Sequence, residues 1–120
     1  MDSVPVLLVE DNPSIRERLI ALIAAIPGLS LAGAEDSAEG ARAAIARTRP
    51  GLVILDLQLR ADTGWDVLTS LDPDAGSPRV IVLTNHSEPE FRTRALRAGA
   101  SGFYDKSTEF ESFAAALRAM

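Results

Sequence analysis

No cysteine occurs in the 120 residues, so neither a disulfide framework nor a thiolate zinc cluster is needed to hold this chain together. Apolar runs are short, far below the about 20 residues that span a bilayer. No charged leader precedes an apolar stretch at the N-terminus, and a soluble, cytoplasmic protein with no membrane partner is expected. A cationic surplus is missing as well: 12 Lys and Arg against 17 Asp and Glu leave a net charge of −5. That balance argues against direct, sequence-independent contact with nucleic acid, which depends on a basic face. Internal repeats, low-complexity tracts and linker-like stretches are absent too. What is present suffices for a core: 47% of the residues are hydrophobic and 24% charged. A chain of this length buries roughly two thirds of its unfolded surface, and one domain over residues 1–120 is expected.

Strand-like apolar runs alternate with helical patterns five times, the signature of a parallel α/β sheet. The first run is Val6-Leu7-Leu8-Val9. After it, Asn12 can cap a helix, Pro13 stands where a missing N–H costs nothing, and Ile15, Leu19, Leu22, Ile23 and Ile26 form one stripe. Pro27-Gly28 stops that helix. A second strand near Leu29–Ala34 leads to Ser37, a good N-cap, and to an alanine-rich helix that ends before Pro50. The third run, Leu52–Leu55, precedes a helix from about Gly64 to Leu71, then a turn-rich loop from Pro73 to Pro78. Ser87 with Glu90, and Thr108 with Glu111, read as capping boxes for the last two helices. Gly99 ends the fourth helix, and Phe110, Phe113, Ala114 and Leu117 are the inward stripe of the fifth.

Polar residues follow directly on four of the apolar runs: Glu10-Asp11, Asp56, Thr84 and, after Gly102-Phe103-Tyr104-Asp105, Lys106. If these runs are parallel strands, all four sets meet at one sheet edge, where open parallel sheets bind ligands. Like charges on Glu10, Asp11 and Asp56 would repel, and one would take a proton unless a cation intervened. Mg²⁺ suits that gap, because it accepts one or two carboxylates, a backbone carbonyl and waters, and also bridges to phosphate oxygens. Asp56, alone at the end of the central run, is the natural nucleophile, and attack on phosphorus gives an acyl phosphate. Lys106 can then neutralise one phosphoryl oxygen while the Thr84 hydroxyl donates to another.

In that order and spacing, Glu10-Asp11, Asp56, Thr84 and Lys106 resemble a response-regulator receiver domain, the phosphoacceptor half of two-component signalling. The likeness covers essentially the whole chain. Gly64 falls where that family has a glycine in the loop after the acceptor, and Phe103 falls on its aromatic switch position. The resemblance implies a flavodoxin-like fold, a five-stranded parallel sheet in the order 2-1-3-4-5 with helices on both faces. It implies that a histidine kinase or histidine phosphotransfer protein offers a phosphoryl group to Asp56. Mg²⁺ would be held by Asp11, Asp56 and the Gln58 backbone carbonyl, with Glu10 acting through a bound water. Small donors such as acetyl phosphate would serve as well. After phosphorylation Thr84 would move toward the phosphoryl group and Phe103 would turn inward, reshaping the surface of the fourth helix, fifth strand and fifth helix. The unphosphorylated chain should already visit that form.

The chain departs from the family pattern at four places. Leu59-Arg60 replaces the usual Met-Pro after the acceptor, and Asn85 replaces a small residue after Thr84. Ser107 replaces the frequent proline after Lys106, so a trans bond is expected there. Phe103 lacks a tyrosine hydroxyl and signals by position alone. His86, the only histidine, is on the bland reading a loop residue before the fourth helix. The sharper reading makes His86 and Gln58 the two sides of a gate that tunes phosphoryl lifetime. Ser14, Arg18 and the Ser107-Thr108 loop are the expected donor-docking residues, with Ile15 or Leu19 added only if exposed. Arg92, Arg94 and Arg97 either solvate their helix or pair two receivers through acids of the last helix. Output is expected through a downstream protein or an effector domain outside this chain. Two rival classes are a receiver-fold binding module that works without phosphorylation and a Mg²⁺-dependent aspartyl phosphohydrolase. The second needs an acid two residues after its nucleophile, where this chain has Gln58.

Overall fold

The computed structural model describes residues 3–59, 61–71 and 78–120. Arg60 and residues 73–77 of the turn-rich loop, both noted above, lie outside them. The elements run β1 (Val4–Val9), α1 (Pro13–Ala25), β2 (Leu29–Glu35), α2 (Ala38–Thr48), β3 (Leu52–Leu55), α3 (Gly64–Ser70), β4 (Arg79–Thr84), α4 (Pro89–Arg97), β5 (Gly102–Asp105) and α5 (Phe110–Arg118). All strand pairings are parallel, in the order β2-β1-β3-β4-β5. This is the flavodoxin-like arrangement the sequence implied.

Strand alternation builds two cores. Val6, Leu8, Leu52, Ile54, Ile81 and Leu83 face one way and meet Leu19 and Ile23 of α1 and Phe113 and Leu117 of α5. Leu7, Val9, Val53, Leu55, Val80, Val82 and Phe103 face the other way, against Ala38, Ala41 and Ala44 of α2, Val67 and Leu68 of α3, and Ala95 of α4. Because successive strand side chains point to opposite faces, continuous apolar runs are what a sheet covered on both sides requires. The alanines of α2 let that helix lie close to the sheet, while α1 and α5 fill their side with larger groups. At the outer strand the register slips by one residue between Val6 and Leu7, a bulge that leaves Ala32 without a partner on β1.

Helix ends follow the expected chemistry in two cases and depart from it in two. Asn12 accepts the Ile15 N–H at 3.1 Å, and Ser37 accepts the Gly40 N–H at 3.0 Å. The capping boxes at Ser87 and Thr108 do not form. The α4 N-cap is Glu88, with Pro89 in the first turn, and the α5 N-cap is Glu109. Ser87 instead donates its hydroxyl to Asp105 Oδ2 at 2.5 Å. Thr108 donates its backbone N–H to Asp105 Oδ1 at 2.9 Å. A strand-end carboxylate thus takes the groups that local pattern assigned to helix caps. No cis peptide occurs among the described residues.

Candidate functional site

Ladder bonds carry the polar sets just past their strand ends. Glu10 N–H donates to Glu35 O at 2.9 Å, Asp56 N–H to Val9 O at 3.1 Å, and Lys106 N–H to Thr84 O at 3.1 Å. Adjacent strands therefore stop level, and their next side chains face one cleft of about 370 Å³ lined by Glu10, Asp11, Asp56, Gln58, Asn85 and Lys106. Glu10, Asp11 and Asp56 each offer a carboxylate oxygen, all within 4.8 Å of one another. Glu10 and Asp56 are buried, at 1% and 5% exposure.

Lys106 resolves the repulsion. Its Nζ lies 2.6 Å from Glu10 Oε1 and 2.6 Å from Asp56 Oδ2, with a side chain only 9% exposed. Burial alone would push this ammonium down; hydrogen bonds to Asp56 and Glu10 outweigh it and hold the group above its ordinary value. Burial acts the other way on Glu10, raising its carboxyl despite the Lys106 and Asn12 hydrogen bonds. The remaining oxygens are aimed as well. Asn12 N–H donates to Glu10 Oε2 at 3.0 Å, Arg16 Nη1 donates to the Glu10 carbonyl at 2.9 Å, and Gln58 N–H donates to Asp56 Oδ1 at 3.0 Å. Three oxygen donors of negative charge around one polar cleft are a donor set for a hard divalent cation, and the residues fit Mg²⁺.

Gly64 shapes the loop between Asp56 and α3. Its N–H donates to Leu57 O at 2.9 Å, and a Cβ built there would lie 2.1 Å from the Asp56 carbonyl oxygen. No side chain fits that approach, which accounts for a glycine at this point.

Thr84 is at the end of β4, yet it is fully buried and its Oγ1 accepts the His86 N–H at 3.2 Å. It lies behind the cleft wall and is not among the lining residues. His86 and Gln58 do meet: His86 Nε2 donates to Gln58 Oε1 across the two loops. Beyond them lies a second cleft of about 230 Å³, lined by Leu57, Leu59, Trp65 and Phe91 among others. Asn85 sits on the rim and accepts from Ser107 Oγ at 3.3 Å.

Phe103 is already inward, 3% exposed, with the Arg92 guanidinium 5.0 Å from its ring centroid. The expectation is that Phe103 turns inward after phosphorylation and that the unphosphorylated chain already visits that form; here the ring stands in the inward position. Arg92 does more than solvate α4: it donates to Phe103 O at 2.8 Å and pairs with Glu109 at 2.5 Å. Arg94 lies 4.2 Å from the Trp65 ring centroid. Of the docking candidates, Ser14, Arg18, Ser107 and Thr108 are exposed, Ile15 is half-buried at the cleft, and Leu19 is buried and unavailable. Sequence reasoning missed Arg16, Asp62 and Glu109, whose partners lie on other segments, and named Arg92 without its partners in this chain. Only Arg16, one turn beyond the Asn12 cap, carried a local signal.

A response regulator receiver domain model matches residues 6–118. Response regulator GacA of Pseudomonas aeruginosa is 28% identical over 115 residues, 96% of this chain and 54% of that protein. The DNA-binding transcriptional activator DevR/DosR of Mycobacterium tuberculosis is 30% identical over 96% of this chain and 53% of its own length. The chain thus spans about half the length of the curated relatives it matches. A solved two-component response regulator of the LuxR family, from Aurantimonas sp. SI85-9A1, superposes with a TM-score of 0.87 at 29% identity, covering 98% of this chain and 84% of that one.

Proposed function

The chain belongs to the response regulator receiver domain family, and from that premise we propose that it accepts a phosphoryl group on Asp56 from a phosphohistidine donor. The donor is a histidine kinase or histidine phosphotransfer protein, with small acyl phosphates as substitutes. The observation that carries this reading is Lys106 held 2.6 Å from both Asp56 and Glu10 at the mouth of the central strands.

An Asp56 carboxylate oxygen attacks phosphorus, and the P–N bond of the donor breaks with its electron pair returning to the imidazole. The Gln58 amide fixes one Asp56 oxygen, which leaves the direction of attack determined. Lys106 balances the charge on the phosphoryl oxygens as they arrive. Asp11, Asp56 and the Gln58 carbonyl, with Glu10 behind them, would hold Mg²⁺, which would supply electrostatic stabilisation to the phosphoryl oxygens. Thr84 must exchange the His86 amide for a phosphoryl oxygen to contribute its hydroxyl. Because Phe103 is already buried, Thr84 and the loop that carries His86 are the moving parts. Their shift is read at the face of α4, β5 and α5.

This is self-catalysed transfer followed by slow autodephosphorylation, and the chain is a signalling phosphoacceptor, not a turnover enzyme. The Gln58–His86 bridge sets how long the phosphoryl group lasts. Residues 1–120 act as one receiver unit in the cytoplasm, where the kinases of this family place their phosphoryl groups. Output passes to a downstream protein or to an effector domain outside this chain, with pairing of two receivers on phosphorylation. The receiver makes no direct contact with nucleic acid. A phosphorylation-independent binding module would have no use for three clustered carboxylates, two of them paired to one buried lysine, and a phosphohydrolase lacks its second acid at Gln58.

Intact mass after incubation with acetyl phosphate and Mg²⁺ tests the reading. One phosphoryl increment is expected, lost in Asp56→Asn and in excess chelator. An increment that survives Asp56→Asn would place the acceptor elsewhere.

A further inference from the structure

Asp62 lies in the loop between β3 and α3, away from the cleft carboxylates. Its Oδ1 accepts the Ala38 N–H at 2.8 Å, the first amide of α2. A carboxylate there meets both an unpaired donor and the positive end of the helix. The same helix has its own local cap, Ser37, which accepts the Gly40 N–H at 3.0 Å. One end of α2 is therefore held twice, once by its own flank and once by the acceptor loop.

Apart from the Gln58–His86 side-chain bond, the loop's other fastenings among the described residues are internal. Gln58 and Thr63 face each other in an antiparallel bridge, and Gly64 N–H closes the base on Leu57 O. Asp62 ties this closed loop to a separate element. Gln58, which that bridge carries, presents its N–H to Asp56 Oδ1 at 3.0 Å. We propose that Asp62 is a positioning residue for phosphoryl transfer: its grip on the α2 N-terminus fixes the loop that presents the Gln58 amide to Asp56 and the Gln58 carbonyl to a divalent cation. This rests on Asp56 being the acceptor.

Three variants separate a positioning role from a simple helix cap. Ser37→Ala removes a cap from α2 and leaves the loop alone; Asp62→Ala removes both cap and tether; Asp62→Asn keeps an acceptor oxygen at the same place. Each is measured for Mg²⁺ dissociation constant by Trp65 fluorescence, for amide exchange at Gln58, for unfolding midpoint, and for the rate of phosphoryl uptake from acetyl phosphate. Asp62→Ala is expected to weaken Mg²⁺ binding and slow uptake at least threefold, with faster exchange at Gln58. Ser37→Ala should lower the unfolding midpoint and leave the other three within twofold of the parent, and Asp62→Asn should restore them to that range. Equal effects of Ser37→Ala and Asp62→Ala, or no effect of Asp62→Ala, would overturn the proposal. If the parent chain takes up no phosphoryl group, the Asp56 reading fails. The Gln58 exchange comparison then decides the role of Asp62 alone.

Discussion

The two sides of the Asp56 cleft are built differently. On the β1 side, Glu10 is bonded at every polar position: its N–H to Glu35, its carbonyl from Arg16, one carboxylate oxygen from Asn12 and the other from Lys106. On the other side, an exposed Gln58 of this cleft meets a half-buried His86, which lines the neighbouring cleft, through one side-chain bond between two loops. Buried groups with several partners open rarely, whereas a single exposed bridge opens readily. The contrast assigns a task to each wall. The densely bonded wall is the one suited to hold charge in place, and the proposed control of access falls to the Gln58–His86 side.

Removing Lys106 is the harshest test of the fixed wall. Lys106→Ala leaves Glu10 and Asp56 buried as like charges. In chelator it should lose roughly 3 kcal/mol or more in urea unfolding, the usual penalty for orphaning a buried ion pair. Added Mg²⁺ should return part of that loss. A variant as stable as the parent without metal would show that charge pairing does not hold this wall.

Gln58→Ala and His86→Ala address the movable wall. Loss of one hydrogen bond contributing about 0.5–1.5 kcal/mol corresponds to roughly a two- to tenfold change in rate. Each variant should therefore change the dephosphorylation rate of the acyl phosphate by that factor with the Mg²⁺ dissociation constant unchanged. Unaltered lifetimes in both would remove the gate.

The smallest effect sharpens where rigidity stops. Asp105 precedes Lys106, and its carboxyl is lowered from 3.8 to about 2 by the Ser87 hydroxyl first, then by the Thr108 and Ser107 amides. A depressed carboxyl stabilises the fold fully above its unfolded value and loses that contribution as pH falls through the folded one. The stability gap between the parent and Asp105→Asn should thus hold down to about pH 4 and close towards about pH 2. Urea midpoints across that range measure it. A gap independent of pH would mean that the three donors do not favour the ionised form.

How much of this was legible beforehand depended on distance along the chain. Continuous runs such as Leu52–Leu55 announced strands buried on both faces, and Glu10, Asp11, Asp56 and Lys106 could be placed because each follows such a run directly. Asn12 and Ser37 cap as read, since their partners lie three residues on. Ser87 misled because Asp105, 18 residues on, competes for its hydroxyl, and Thr108 misled because the same carboxylate, three residues back, takes its N–H. Thr84 was assigned to the right strand end, but its side chain turns back to its own loop, a choice of rotamer that spacing does not reveal. Asp62 and Arg92 act 24 and 11 residues away from their partners, and nothing local distinguishes them from solvated charges.

Gly64 carries a consequence for genetics. Since the Asp56 carbonyl occupies the space where any other residue would place its first side-chain atom, substitutions there must displace Asp56. A screen for silent signalling alleles would recover changes at Gly64 beside those at Asp56, even though the glycine touches no phosphoryl group. Suppressors of such alleles would map to the loop backbone and not to the chemistry.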